Sequence, residues 1–263
     1  MSAPFAAEAH LSLNCRGRLL TLDQPRIMGI LNVTPDSFSD GGQYNEKNAA
    51  IDRVGVMIEE GAEIIDIGGY SSRPFADEVS PQEELDRIAG IGQAILQYYP
   101  QALLSVDTFR AAVAQEMLQI GAHIINDISG GALDPEMWNT LATFGDVPYI
   151  LMHMQGRPQT MQENPQYANV LETVQEWLAK RIREARAAGI KDIVIDPGFG
   201  FGKKIIHNYQ LLGGLEHLVR MNVPVLVGIS RKSMLYRLFE TTPDDVLELS
   251  SALHLKVLEK GAH

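Results

Sequence analysis

The 263 residues predict an α/β fold, a (β/α)8 barrel of the TIM type, formed as a single domain over residues 1–263. Three observations predict it. Short, near-continuous apolar runs alternate with stretches of helical periodicity, the pattern of parallel strands buried on both faces. Polar residues follow those runs one after another, and a barrel gathers its chemistry at the C-terminal ends of its strands. No Gly-x-Gly-x-x-Gly follows the first run, which counts against an open dinucleotide-binding sheet.

The strands are expected at Ile27–Val33, Ile64–Ile67, Leu103–Val106, His123–Ile128, Tyr149–Met152, Ile193–Ile195 and Val223–Ile229. After the first, Ile51, Val54, Met57 and Ile58 recur at helical spacing and Gly61 stops the helix. After the second, Ser80-Pro81-Gln82-Glu83 reads as a capping box with proline at the first helical position, followed by Leu85, Ile88 and Ile95. Val113, Met117 and Leu118 mark a shorter helix ending at Gly121. Val174, Leu178, Ile182 and Ala185 mark a longer one closed by Gly189. No low-complexity tract or Pro/Ser-rich linker breaks this rhythm.

Composition narrows the function. Hydrophobic residues make up 45%, as in a soluble globular protein, and the formal net charge of -11 argues against a nucleic-acid surface. The single Cys15 excludes an internal disulfide framework and a Cys-rich zinc site, and reads as a small inert thiol. No apolar run reaches the length of a membrane span, and Ser2–His10 lacks the basic start and apolar block of a signal peptide, so a cytoplasmic location is expected.

The polar strand ends carry the chemistry. Asn32, the Ser71-Ser72-Arg73 turn, Asp107, Asn126, His153, Asp196 and Lys232 each end or follow an apolar run. Any one of them suits a helix cap or turn; seven in series point to a polar, partly acidic mouth. Met28–Gly42 breaks at Asn32, Thr34 and Pro35 into a loop whose Asn32, Asp36, Ser37 and Asp40 offer oxygens to a hard metal ion or a phosphorylated ligand. Asp107, Asn126 and Asp196 suit a flat heterocycle with adjacent N–H donors, since a carboxylate takes two parallel N–H bonds. A general acid–base pair, or carboxylate metal ligands without any His-x-x-His spacing, are the competing readings. His153 alone reads as a hydrogen-bonded supporting residue.

Seven segments in order resemble the signatures of the dihydropteroate synthase family. They are Met28–Gly42, Gly68-Gly-Tyr-Ser-Ser-Arg-Pro74, Ser105-Val-Asp-Thr108, Asn126-Asp-Ile-Ser129, Met152–Gly156, Asp196-Pro-Gly-Phe-Gly-Phe-Gly202 with Lys203, and Gly228–Met234. The resemblance runs from about Arg26 to the C-terminus. It implies that 6-hydroxymethyl-7,8-dihydropterin diphosphate and p-aminobenzoate condense to 7,8-dihydropteroate and diphosphate, an activity targeted by sulfonamides. It also implies Mg²⁺ as cofactor and a homodimer with small-molecule substrates, without nucleic acid or membrane. Asp107, Asn126, Asp196 and Lys232 resemble the family's pterin contacts. Asn32 and Arg73 resemble its diphosphate contacts, with Asn32 also toward the metal. Ser72, Pro74, Phe75, Phe201 and Ser233 fall at the p-aminobenzoate pocket. Asn32, Asp36, Arg73, Asp107 and Lys232 are the catalytic set so implied. A corrinoid-dependent pterin-binding methyltransferase is the alternative, sharing the barrel and part of the pocket.

Two departures stand out. Tyr70, Ser72 and Phe75 replace the family's more usual Glu, Thr and Gly, and Phe75 either packs on the outer loop or helps select the amine substrate. The sequence ends at Gly261-Ala-His263, where the family's eighth strand opens with its Arg-x-His pair ahead of a last helix. That strand and helix are therefore expected to lie beyond these residues.

Overall fold

A computed structural model describes residues 11–33, 42–71 and 79–263. An antiparallel hairpin, β1 (Ser12–Cys15) and β2 (Arg18–Thr21), precedes six strands that pair in parallel and in chain order. These are β3 (Met28–Asn32), β4 (Ile64–Gly68), β5 (Leu103–Asp107), β6 (Ile124–Asp127), β7 (Tyr149–Met152) and β8 (Ile193–Asp196). Helices α1 (Gly42–Glu59), α2 (Pro81–Tyr98), α3 (Ala111–Ile120), α4 (Met137–Phe144) and α5 (Val170–Ala187) connect them. Beyond β8 come α6 (Ile205–Gly213), α7 (Leu215–Val219), α8 (Ser233–Tyr236) and α9 (Leu247–Glu259). This is the repeating β/α order of the expected barrel.

Strand side chains alternate between two faces, and both faces are buried. Ile65, Ile67, Leu104, Val106, Ile125, Leu151, Ile193 and Ile195 point outward into one core shared with the helices. Ile64, Leu103, Ile124, Ile150 and Val194 point inward near the strand starts, where Leu13, Cys15 and Leu20 of the hairpin pack on them. The hairpin therefore floors the barrel. Its arginines tie it down: the Arg16 guanidinium donates to Leu118 O (2.6 Å) and Ala122 O (3.0 Å), and Arg18 reaches the carbonyls of Pro100, Gln101 and Ala102. Cys15 is fully buried in this floor, and burial pushes its thiol up to about 12, in keeping with an inert role.

The capping box at Ser80 forms as expected, with Glu83 N donating to Ser80 Oγ and Ser80 N donating to Glu83 Oε2, both at 3.2 Å. Gly61, Gly121 and Gly189 follow α1, α3 and α5 with positive φ, the conformation a helix stop requires.

Several elements differ from the sequence expectation, among them the helices α6, α7 and α9, for which no periodicity was marked. The hairpin β1–β2 and the eight-residue α4 are additions, too short for periodicity to separate them from loops. The run Val223–Ile229 does not form a full strand: it meets β8 through a single bridge, Ile195 to Val225. Two hydrogen bonds support that bridge, Ile195 N to Pro224 O and Leu226 N to Ile195 O, each 2.9 Å. On its other side His263 donates to Val225 O (3.0 Å) while Arg26 N donates to His263 O (3.2 Å). One residue thus links this segment to the approach of β3, beside the exposed Ile27 and Ile30.

Candidate active site

The register of the sheet assembles the site. Asn32, Gly68, Asp107 and Asn126 are successive partners across β3, β4, β5 and β6, so they stand in one row at the C-terminal ends. Met152 and Asp196 are partners at the ends of β7 and β8. A Cβ on Gly68 would lie 3.3 Å from the Asp107 Cβ, so glycine there leaves room beside the carboxylate.

One layer below this row sits Asp66, buried in the middle of β4. Its two oxygens accept from Ser105 Oγ (2.6 Å) and Asn126 Nδ2 (2.9 Å). Holding the amide nitrogen downward leaves Asn126 Oδ1 as an acceptor toward the mouth. Asp196 accepts from Gly198 N (2.7 Å) with Oδ1 and keeps Oδ2 unengaged among the described residues. Asp107 has no hydrogen-bond partner among them. The mouth therefore presents carboxylate and amide acceptors in excess of donors.

Burial raises the Asp107 carboxyl well above its usual range, and the charges of Asp66, Glu84 and Asp127 add to it. Burial also raises Asp196, with the nearby Lys232 ammonium opposing the rise. Such a cluster favours a ligand that brings N–H donors or positive charge. Lys232 supplies the opposite polarity. It lies just ahead of α8, donates to Phe199 O (2.5 Å) and stands 4.8 Å from the centre of the Phe201 ring. An apolar group at the same end, Ile128, Met152, Met154 and Met161 with Phe109, Leu133 and Phe201, offers flat contact surface. Together these features accept a planar, N–H-rich ring.

Asn32, Asp107, Asn126, Asp196, Phe201, Lys232 and Ser233 all lie in the described part of the chain, at strand ends, in loops or, for Ser233, at the first position of α8. Asp36, Ser72, Arg73, Pro74 and Phe75 lie outside the described residues. Asn32 is exposed at the end of β3, and Ser233 opens α8 next to Lys232. Among the described residues no group of three or more His, Cys, Asp or Glu is placed to hold a metal.

Sequence reasoning missed Asp66 and Ser105. Their signal was a carboxylate and a hydroxyl in mid-strand, in register with each other, on strands otherwise apolar. It also missed what Tyr70 does. Tyr70 is buried, edge-on to Phe109 (5.1 Å) and 5.2 Å from the Arg110 guanidinium, and its hydroxyl accepts from Gln159 Nε2 (2.8 Å). It thereby joins the loops after β4, β5 and β7.

Comparison with known proteins decides among the readings of such a pocket. A family model described as pterin binding enzyme matches residues 28–263. This chain belongs to the pterin-binding enzyme family. Within that family it is 45% identical over 255 residues to the dihydropteroate synthase of Escherichia coli strain K12, covering 96% of this chain and 89% of that protein. The solved Yersinia pestis dihydropteroate synthase in a sulfonamide drug complex superposes with a TM-score of 0.89 at 44% identity, covering 96% of this chain and 92% of that one. The Xanthomonas albilineans dihydropteroate synthase in complex with 7,8-dihydropteroate gives 0.85 at 40% identity, covering 96% and 90%. The acceptor row at the strand ends thus belongs to a pterin-binding barrel.

Proposed function

We infer that this chain is a dihydropteroate synthase, a transferase that joins 6-hydroxymethyl-7,8-dihydropterin diphosphate to p-aminobenzoate and releases diphosphate. The observation that carries the reading is the acceptor set of Asp107, Asn126 Oδ1 and Asp196 Oδ2 opposite Lys232. The amino-pyrimidine edge of a pterin presents adjacent N–H donors to carboxylates, and its ring acceptors meet the ammonium. Similarity to synthases over nearly the whole chain supports the same assignment.

The chemistry needs placement more than a strong base. The bond from the exocyclic methylene carbon to the diphosphate oxygen breaks, and its electron pair leaves with diphosphate. The carbon left behind is cationic and delocalised over the ring, and the buried carboxylates around it stabilise that charge. The neutral aniline nitrogen of p-aminobenzoate then forms the C–N bond and loses its proton to solvent. Holding the two partners in line is the main contribution of the pocket. Phe201 and Ser233, with Ser72, Pro74 and Phe75, are the residues proposed to seat the amine substrate. Arg73 and Asn32 are proposed to receive the diphosphate, and Asp36 is proposed as a further member of the catalytic set.

Mg²⁺ is proposed as the cofactor. The exposed Asn32 side chain and the absence of an acidic cage among the described residues fit an ion that keeps substrate phosphate and water as most of its ligands. When bound, it neutralises diphosphate charge and makes it a better leaving group. A homodimer is also proposed, on the exposed Leu247, Leu255 and Leu258 along α9 and the nearby Leu238 and Phe239, and is tested by light scattering. No helix among the described residues is long and apolar enough to cross a membrane. We place the enzyme in the cytoplasm, where fractionation should find it.

The test is diphosphate release measured with and without p-aminobenzoate and Mg²⁺. Release that requires both is expected. No release with both present overturns the assignment.

A further inference from the structure

The segment 197–203, directly after β8, has no regular secondary structure, so its peptide groups depend on other partners. Side chains meet many of those groups between Gly198 and Gly202. Asp196 takes Gly198 N (2.7 Å), Asn208 takes Gly200 N (2.7 Å), Gln162 donates to Gly200 O (2.5 Å) and Tyr167 donates to Gly202 O (2.8 Å). The two cationic donors sit on opposite sides. Lys232 holds Phe199 O from the mouth, and Lys203 holds the segment from within the protein.

Lys203 is buried, and its ammonium gathers four acceptors: Gly198 O (2.9 Å), Phe201 O (2.9 Å), His153 O (3.2 Å) and His153 Nδ1 (3.0 Å). Among the described residues no carboxylate lies within bonding distance of it, and Asp196 is the acid that acts on it through space. Burial and the adjacent lysine keep the His153 ring neutral, so Nδ1 is an acceptor for the ammonium. Gly198 makes the convergence possible. Its φ is +69°, and a Cβ there would stand 2.0 Å from His153 O. A buried amine that collects carbonyls from two loops is an expensive arrangement for packing alone.

We propose that Lys203 is a positioning residue for the transfer reaction: it clamps the Gly198–Phe201 turn to the end of β7, and that turn in turn sets where the Lys232 ammonium and the Phe201 ring stand. The inference rests on the synthase reading for the reaction, but its geometry concerns pterin binding as well. Lys203 touches no substrate in this scheme. It acts through Phe199 O, which Lys232 requires, and through the ring of Phe201. Without the clamp the turn relaxes, and Lys232 loses its registration against the pterin site.

A double-mutant cycle tests this on the full chain. Lys203→Met keeps the stem and removes the donors; Lys232→Met removes the group it is proposed to position. Product formation and calorimetric affinity for 6-hydroxymethylpterin are both measured, with thermal unfolding as the fold check. Lys203→Met should lower kcat/KM for the pterin diphosphate at least about tenfold. In the Lys232→Met background the same substitution should add less than about twofold. Losses that multiply in the double variant, or a Lys203→Met enzyme within about twofold of wild type, overturn the proposal. Should Lys203→Met not fold, Lys203→Gln, which retains an N–H donor, runs through the same cycle with the same criteria. Failure of the synthase reading shows differently, as a wild-type chain that forms no product, and the pterin-affinity cycle then decides the role of Lys203.

Discussion

The two ends of the strands are built from the same backbone and opposite chemistry. At the starts of β4 to β8 the inward residues are Ile64, Leu103, Ile124, Ile150 and Val194, sealed by the hairpin. Two residues later the inward positions become Asp66, Ser105, Asn126 and Asp196, and β5 adds Asp107 another two residues on. The floor needs only to exclude water, so any well-packed apolar set serves it. The mouth holds several carboxylates at the cost of burial, and each must be answered by a donor from the protein or from a ligand. The difference separates the part of the barrel that stabilises from the part that recognises.

That contrast makes the floor the place of largest stability effect. Ile124→Ala should destabilise the fold by about 2–5 kcal/mol, because a fully packed side chain leaves a cavity beneath the hairpin. Pterin affinity of the folded variant should be nearly unchanged. Denaturant unfolding beside calorimetry checks both halves, and a large loss of affinity would show that floor and mouth are not separable.

At the mouth the balance reverses. Asp196→Asn replaces a charged acceptor with a group that also carries donors, so pterin affinity should fall by about 1.5–3 kcal/mol. Its effect on unfolding should be small or even favourable, since a buried charge is removed. Calorimetric affinity that matches wild type in a folded variant would break the pocket assignment.

The pH dependence sharpens the comparison further. Lys203 is lowered from its ordinary value of 10.5 to about 7, chiefly by burial. Between those values the unfolded chain holds the proton and the folded chain does not, so this group makes stability rise with pH from about 7 to 10.5. Below pH 7 both states are protonated and the contribution is flat. The difference in melting temperature between wild type and Lys203→Met should therefore change across that alkaline window. A parallel pair of melting curves would contradict the shift.

The smallest effect is expected where the mouth joins its own loops. Tyr70→Phe keeps the ring against Phe109 and removes the acceptor of the Gln159 bond, a loss of about 0.5–1.5 kcal/mol. It should appear as a raised KM for p-aminobenzoate with kcat little altered. A change confined to kcat would instead place Tyr70 in the chemical step.

Much of the fold was legible in the residues. Continuous apolar runs marked all six paired strands, and Ser80-Pro-Gln-Glu marked the start of α2, because burial on both faces and capping are local demands. The hairpin was harder to see. Its signal, Leu13 and Cys15 alternating with polar residues around Arg16-Gly17, spans too few residues to separate a strand from a loop, and its packing surface comes from five distant strands. Val223–Ile229 erred the other way. Apolar composition reports burial, whereas a strand needs paired partners on the ladder, and this run finds one bridge.

For the site, the residue types that end the strands were readable in the chain, and its motifs were enough to bring Asp107, Asn126, Asp196 and Lys232 together as one proposed pterin site. How those groups are aimed is set by contacts that form in the folded chain. Asp66 turns the Asn126 amide by a hydrogen bond across 60 positions of sequence, and Lys203 reaches the His153 carbonyl 50 positions away while holding two carbonyls of its own loop. Residue type fixes what a group can donate or accept and is therefore written in the chain. Which of its atoms remains open to a ligand depends on neighbours that only folding brings within bonding distance.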